Sequence, residues 1–299
     1  MISYCRFGAS ALASIVVAFF GLPVQGDDPR SDSPVASGAR LESPRLASDN
    51  VSPAPTDVVL VNSKNAAEAR LAAPPRAAEE LARLAAERVE SSIRDYRCIF
   101  LKRERIDGKL RDEEIIDVAF RDEPTSVYMV WRKNAGEAKR ALYVDSKEWV
   151  DAKGRKLVRV EPAGAVARLF VAEAQIELHG AEARAASRRG MDEFGFKALI
   201  RLLRNYNDIA RKNGVLDFRY EGEGVIDGRP TYVLVRRLPY KDEKGPYPDA
   251  LMRMHIDQEW MIPTAVFSFA DAEGKVLLAS YIYTQVNLNP NLREADFKF

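Results

Sequence analysis

The stretch DYRCIFLKRERIDGKLRDEEIIDVAF, residues 95–120, decides how this chain folds. Tyr96, Cys98 and Phe100 alternate with charged or longer residues, which is the period of a strand with one buried face. At Asp107-Gly108 the alternation breaks on the dipeptide best suited to a two-residue hairpin, because both central residues of a type I′ turn need positive φ. It resumes through Ile116, Val118 and Phe120. Further short alternating runs follow Glu123-Pro124, at 127–132, 140–145, 148–151 and 156–161, each bounded by turn residues. Such a meander pairs neighbouring strands antiparallel.

Upstream of the hairpin the period is helical. From Arg76 to about Asp95, directly after Pro74-Pro75, residues Leu81, Leu84, Ala85, Val89 and Ile93 recur at spacings of three and four. Downstream, Ala163 to Gly190 is rich in Ala and Glu and reads as a strand or helical turn at Val166 to Val171 followed by a loop. A second helix carries Phe196, Leu199, Ile200, Leu202, Leu203, Tyr206, Ile209 and Ala210 on a wide apolar stripe and stops at Asn213-Gly214. Strands return at Leu216 to Ile226 and Thr231 to Leu238 around a second Asp-Gly turn, Asp227-Gly228. A Pro- and charge-rich loop, 239–248, leads to strands near 253–257, 263–270 and 276–288, the last hairpin marked by Gly274. About ten strands and two long helices over 76–299 predict one α+β domain. A twisted sheet that long curls into an incomplete half-barrel with the amphipathic helices on its concave face.

The first 26 residues have a basic residue, Arg6, an apolar run from Ala9 to Phe20 and a small-residue exit at Val24-Gln25-Gly26, the plan of a secretory signal. The expectation is therefore a soluble extracytoplasmic protein, periplasmic or secreted. Residues 27–75, with prolines at 29, 34, 44, 53, 55, 74 and 75, read as a disordered linker. Cys5 precedes the apolar run and so is not placed to bear a lipid. Cys98 is the other cysteine of the chain, which excludes an intramolecular disulfide after cleavage and leaves stability to the core.

The chain carries 45 Lys and Arg against 44 Asp and Glu, interleaved in sign. That balance gives no electrostatic basis for a nucleic acid partner. The two histidines, His179 and His255, stand in no HExxH pattern, there is no paired CxxC or aspartate-rich loop, and no metal or other cofactor is expected. No G-x-S-x-G elbow occurs, and the glycines of EGEGVI lie between strands with no helix after them, unlike a dinucleotide fingerprint. Acidic neighbours such as Glu113-Glu114 and Asp192-Glu193 leave a hydrolase of another type as a residual reading, but the expectation is a non-catalytic protein. The aromatics and methionines of the strands are the more suggestive group. Each has a plain reading as core, but Met129, Trp131, Tyr143, Phe267 and Tyr283 are the residues expected to line an apolar groove. Lys102, Arg103 and Arg105 read either as cross-strand ion pairs with Glu104 and Asp107 or as a grip for an anionic headgroup.

These segments resemble a family known as domain of unknown function 1571, found in secreted proteins of planctomycete bacteria. The resemblance lies in DYRCIFLKRERIDGKL at 95–110, SVYMVW at 126–131, LYV at 142–144, EFGFKALI at 193–200 and YIYTQVNLNPNLREADF at 281–297. The ending is also similar to that of lipoprotein carriers of the LolA and LolB type. That likeness implies a half-barrel with helices under its concave face, holding a lipid or a lipidated protein, and carries no binding residue across. A scaffold or protein-interaction module with a filled core is the alternative expectation.

Overall fold

The structure, a computed structural model, describes residues 76–164 and 172–299. The signal-like segment, the linker and the element expected at 166–171 lie outside the described residues. Helix α1 (Arg76–Ser92) leads into β1 (Asp95–Ile106), β2 (Lys109–Leu110), β3 (Glu114–Arg121), β4 (Ser126–Lys133), β5 (Ala138–Val144), β6 (Leu157–Pro162) and β7 (Ala174–Glu177). After a short α2 (Ala181–Ala186) and the long α3 (Phe196–Lys212) come β8 (Asp217–Ile226), β9 (Arg229–Arg237), β10 (Leu251–Asp257), β11 (Pro263–Phe269) and β12 (Leu277–Leu288). The twelve strands form one antiparallel sheet in the order β7-β6-β5-β4-β3-β1-β12-β11-β10-β9-β8, with β2 paired to β1. Its two ends do not pair, so the sheet is open.

The alternation in the first strand does what its period requires. Tyr96, Cys98 and Phe100 point to the helices, while Leu101 and Ile99 point to the other face. Asp107 and Gly108 have φ of 50° and 76°, and Asp227 and Gly228 have 52° and 71°, so both Asp-Gly turns adopt the left-handed geometry expected of them. One buried cluster takes in α1 (Ala82, Ala86, Val89), α3 (Leu199, Ile200, Leu203) and residues from β6 at one side to β8 at the other. Strands lie about 4.8 Å apart and a helix is only about 10 Å across. Two helices therefore meet strands so far apart only because the sheet wraps around them. The buried face of α1 is almost all alanine, which lets it lie close against α3.

Two local departures from expectation have clear causes. Residues 148–151 are not a strand: Lys147–Trp149 form a 3-10 turn, and only Val150 bridges, to Lys156. The Asp151 carboxylate accepts the amides of Lys153 and Arg155 at 2.8 and 2.9 Å, and this tight side-chain turn takes the backbone away from ladder pairing. Within β8, Gly222 has φ of 106° and the register jumps from Tyr220 opposite Leu234 to Glu223 opposite Tyr232. This bulge exchanges the faces. Phe218 and Tyr220 lie against the helices, whereas Ile226 packs on the outer face with Leu101, Ala265 and Ile282. The hairpin tip thus reaches β12, where the Asp227 carboxylate accepts the Gln285 amide at 2.7 Å.

A second outer cluster is closed by the C-terminus, with Phe297 buried and Phe299 half-buried against Ala119, Leu142, Val144 and Tyr128. Arg97 and Arg121 tie this segment down through Asp296 at 2.6 Å and Glu294 at 3.0 Å. Asp296 also accepts the Arg293 amide at 2.7 Å.

Candidate functional site

The N-terminus of α3 sits in an aromatic box. Tyr96 stacks between Phe120 and Phe196 at centroid distances of 4.8 and 4.3 Å, and Phe194 lies edge-on to Phe100 and tilted against Tyr283. Gly195, with φ of +102°, lets the chain turn into the helix here, because a Cβ would come within 2.9 Å of the Phe120 ring and 3.0 Å of the Tyr96 hydroxyl. Of the expected groove residues, Met129, Tyr143 and Tyr283 are buried in this helix-facing core and Trp131 packs at its edge. Phe267 is not with them. It lies on the outer face, edge-on to His255 at 5.7 Å and beside the cluster of Leu101, Ile226, Ala265 and Ile282. The half of the sheet around the box is filled with side chains.

The other end of the same face is polar. Continuing the alternation of β1 past Phe100 puts Lys102 and Glu104 on the buried side. Glu104, 2% exposed, accepts the Tyr281 hydroxyl at 2.5 Å, the Arg188 amide at 3.2 Å and the Ser187 hydroxyl at 3.3 Å, with the Lys102 ammonium at 3.5 Å. Lys102 also pairs with Glu114 at 3.3 Å, and Glu114 accepts the Trp131 indole N–H at 2.5 Å. Burial first, and the Glu104 carboxylate after it, push the Tyr281 phenol well above its ordinary pKa and keep it a donor. Arg103 and Arg105 instead bond backbone carbonyls, of Arg111 and of Leu277 and Gly108, so of the basic run Lys102 is the ion-paired residue, with Glu104 on its own strand and Glu114 across from it rather than with Asp107.

Between this network and α3 a cleft of about 30 Å³ remains. Leu199, Leu202, Leu203, Met252, Met254 and Val266 make its apolar walls. Its polar lining includes Arg189, Arg236 and Asp249. Arg236, 3% exposed, reaches Asp249 at 3.1 Å and Asn207 at 3.4 Å and lies 5.6 Å from the Tyr206 ring centre, but its Nε is buried without an acceptor. Arg189 meets Glu193 only at 3.6 Å. Neither arginine stood out among the strand aromatics. The signal was available in β9, where Arg236 falls two residues after Leu234 and so on the same, helix-facing side.

A larger open groove of about 660 Å³ runs along the α1–α3 contact, lined by Ala82, Leu203 and Asn207 and by exposed charges already paired with one another: Arg211 with Glu79 and Asp208, and Arg83 with Glu80 and Glu87. Elsewhere, His255 is buried with Nδ1 2.9 Å from the Thr231 hydroxyl, and burial followed by the nearby Arg253 lowers its pKa to about 4. His179 lies at the surface, 3.1 Å from Asp192. Burial raises the Cys98 thiol pKa far above its ordinary value. Among the described residues no group of three or more His, Cys, Asp or Glu is placed to hold a metal ion. No described helix is long and apolar enough to cross a membrane.

The family profile of protein of unknown function DUF1571 matches residues 93–299, from the end of α1 to the last residue. The chain belongs to the DUF1571 family. No curated protein matches it. Among solved structures, MucB, which is known also in complex with MucA from Pseudomonas aeruginosa, is similar to this DUF1571 protein at 17% identity and a TM-score of 0.43 over 74% of this chain and 62% of that one. The chain thus spans about three fifths of MucB. The Mycobacterium tuberculosis lipoprotein LppX is similar at 13% identity and a TM-score of 0.38, covering 74% of this chain and 99% of that one. A LolA superfamily protein from Nitrosomonas europaea is similar at 11% identity and a TM-score of 0.24, covering 74% and 97%.

Proposed function

We propose that this DUF1571 protein is a non-catalytic extracytoplasmic binding protein, exported by the signal at residues 1–26 and holding the apolar part of a lipid or lipidated protein between α3 and strands β9–β12. The observation that carries this reading is the cleft beneath α3, where leucine and methionine walls meet the buried Arg236 and the half-buried Arg189. At about 30 Å³ it holds a water and no acyl chain, so binding requires the C-terminal part of α3 to lift. That motion parts Ala210 from Leu238 and Tyr247, while an interposed chain keeps Leu199, Leu203 and Met254 out of water. Each buried methylene of the chain contributes about 0.8 kcal/mol. The ion pairs that hold α3 at its outer side, Arg204 to Glu90 and Arg211 to Glu79, are exposed and worth at most about 1 kcal/mol each. The aromatic box pins the opposite end of the helix and supplies the pivot.

A filled scaffold is the second reading, favoured by the packing of Met129, Tyr143 and Tyr283 into solid core. Native mass spectrometry with lipid extraction, on protein purified from the periplasm of an expressing bacterium, separates the two. A copurifying acyl lipid that is lost in a folded Leu202→Asp variant supports the carrier. A lipid retained by that variant overturns the cleft as its site, and a clean apo mass after added lipid supports the scaffold.

A further inference from the structure

The polar lining of the cleft is unbalanced. Arg189 and Arg236 face it with one lining carboxylate between them, Asp249, which is also committed to the Ser268 hydroxyl at 3.1 Å. Glu193 approaches Arg189 from the rim at 3.6 Å with its own side chain 31% exposed, a weak and solvent-screened partner. Arg236 is the more demanding of the two. Its side chain is almost wholly buried and its Nε–H has no acceptor among the described residues, so an oxygen in the cleft, from water or from a ligand, has to meet it. Guanidinium groups are matched by planar or tetrahedral oxyanions that accept two N–H bonds at once.

We infer that the cleft recognises the oxyanion head, carboxylate or phosphate, of an amphiphile whose chain lies against Leu199, Leu202 and Met252, with Arg189 and the free Nε of Arg236 as its two cationic contacts. This rests on the carrier reading above. One negative charge brings the lining from a net charge of +1 to neutrality, whereas an uncharged lipid leaves Arg236 as it is.

Isothermal titration of delipidated protein with oleate, methyl oleate, oleyl phosphate and inorganic phosphate tests the assignment. Oleate and oleyl phosphate are expected to bind at least about tenfold more tightly than the ester, the size of one charge-assisted hydrogen bond. Arg189→Gln is expected to remove most of that ratio, and Glu193→Gln, which frees Arg189, to increase it. Arg236→Gln strips the partner from buried Asp249, so it is read only beside its melting curve, and Arg189→Gln at the rim carries the test. Equal binding of oleate and ester overturns the anion site and leaves the carrier reading standing. Binding of none of the amphiphiles overturns both. Inorganic phosphate bound as tightly as oleyl phosphate assigns the arginines to a free anion and overturns the headgroup assignment, as does an oleate-to-ester ratio untouched by Arg189→Gln.

Discussion

Acidification should weaken this fold through one residue. His255 lies on the outer face of β10, with Thr231 on one side, the Phe267 ring on another and Gly224 so close that a Cβ there would come within 2.9 Å of the imidazole. No room remains to hydrate a charged ring, and burial, with Arg253 adding repulsion, sets its pKa at about 4. In the unfolded chain a histidine titrates near 6.5. Below that value the unfolded state takes up a proton that the folded state refuses, so stability falls by about 1.4 kcal/mol per pH unit down to pH 4. Over the full gap the loss is about 3 kcal/mol, and between pH 7 and pH 4.5 it is about 2 kcal/mol. Urea unfolding followed by tryptophan fluorescence at those two pH values measures it. In His255→Gln the absolute stability at pH 7 is lower, but the difference between the two pH values should shrink by about 2 kcal/mol. His179 is common to both proteins and cancels. An unchanged difference in the variant would refute the reasoning and move the acid sensitivity to the carboxylates.

Tyr281→Phe removes the hydroxyl that donates to buried Glu104, and a loss of about 1.5–3 kcal/mol in urea unfolding is expected; a loss below 0.5 kcal/mol on the same order-of-magnitude scale would show that water replaces it. Asp257, 1% exposed, holds Arg229 at 2.6 Å and accepts the amides of Glu259 and Trp260, so Asp257→Ala should cost about 3–5 kcal/mol. Because Arg229 lies 3.6 Å over the Trp260 ring, the same variant should shift tryptophan emission, and wild-type emission with wild-type stability would contradict the assignment. Gly195→Ala meets both a disfavoured φ and the Phe120 ring, and should lower the melting temperature by several degrees, about 1–3 kcal/mol. Aromatic-box packing that tolerates the methyl group would leave the melting temperature unchanged.

Much of the fold was legible where turn chemistry and period agreed. Asp107-Gly108 and Asp227-Gly228 announce their hairpins because few other dipeptides accept two positive φ values, and α3 declares itself by a stripe that no strand produces. Strand β7 and helix α2 were not legible, since the Ala- and Glu-rich sequence around them carries neither period. Facing was harder than existence. The exchange of faces in β8 depends on the Gly222 bulge, which alternation alone does not announce, and Phe267 lies outward on β11 although its neighbours in sequence are equally apolar. The cleft was missed for a related reason: Arg236 and Arg189 read as surface charges until the register of β9 and the packing of α3 turn them inward.

The seam between β1 and β12 governs how this chain must reach its native state. The first long strand pairs on one side with β3, a near neighbour in sequence, and on the other with β12, with Phe100 opposite Tyr283 and Leu101 opposite Ile282. The sheet is therefore two meanders, β1–β7 and β8–β12, zipped together by one ladder whose halves are separated by almost the whole described chain. Until Leu288 is available each meander carries a bare central edge, the kind of edge that templates association with other chains. Closure of so long a loop is slow compared with forming either meander. A chain truncated before Leu277 should accordingly accumulate as aggregates rather than as a smaller folded monomer, and an export route that delivers the polypeptide unfolded and complete would spare it that hazard.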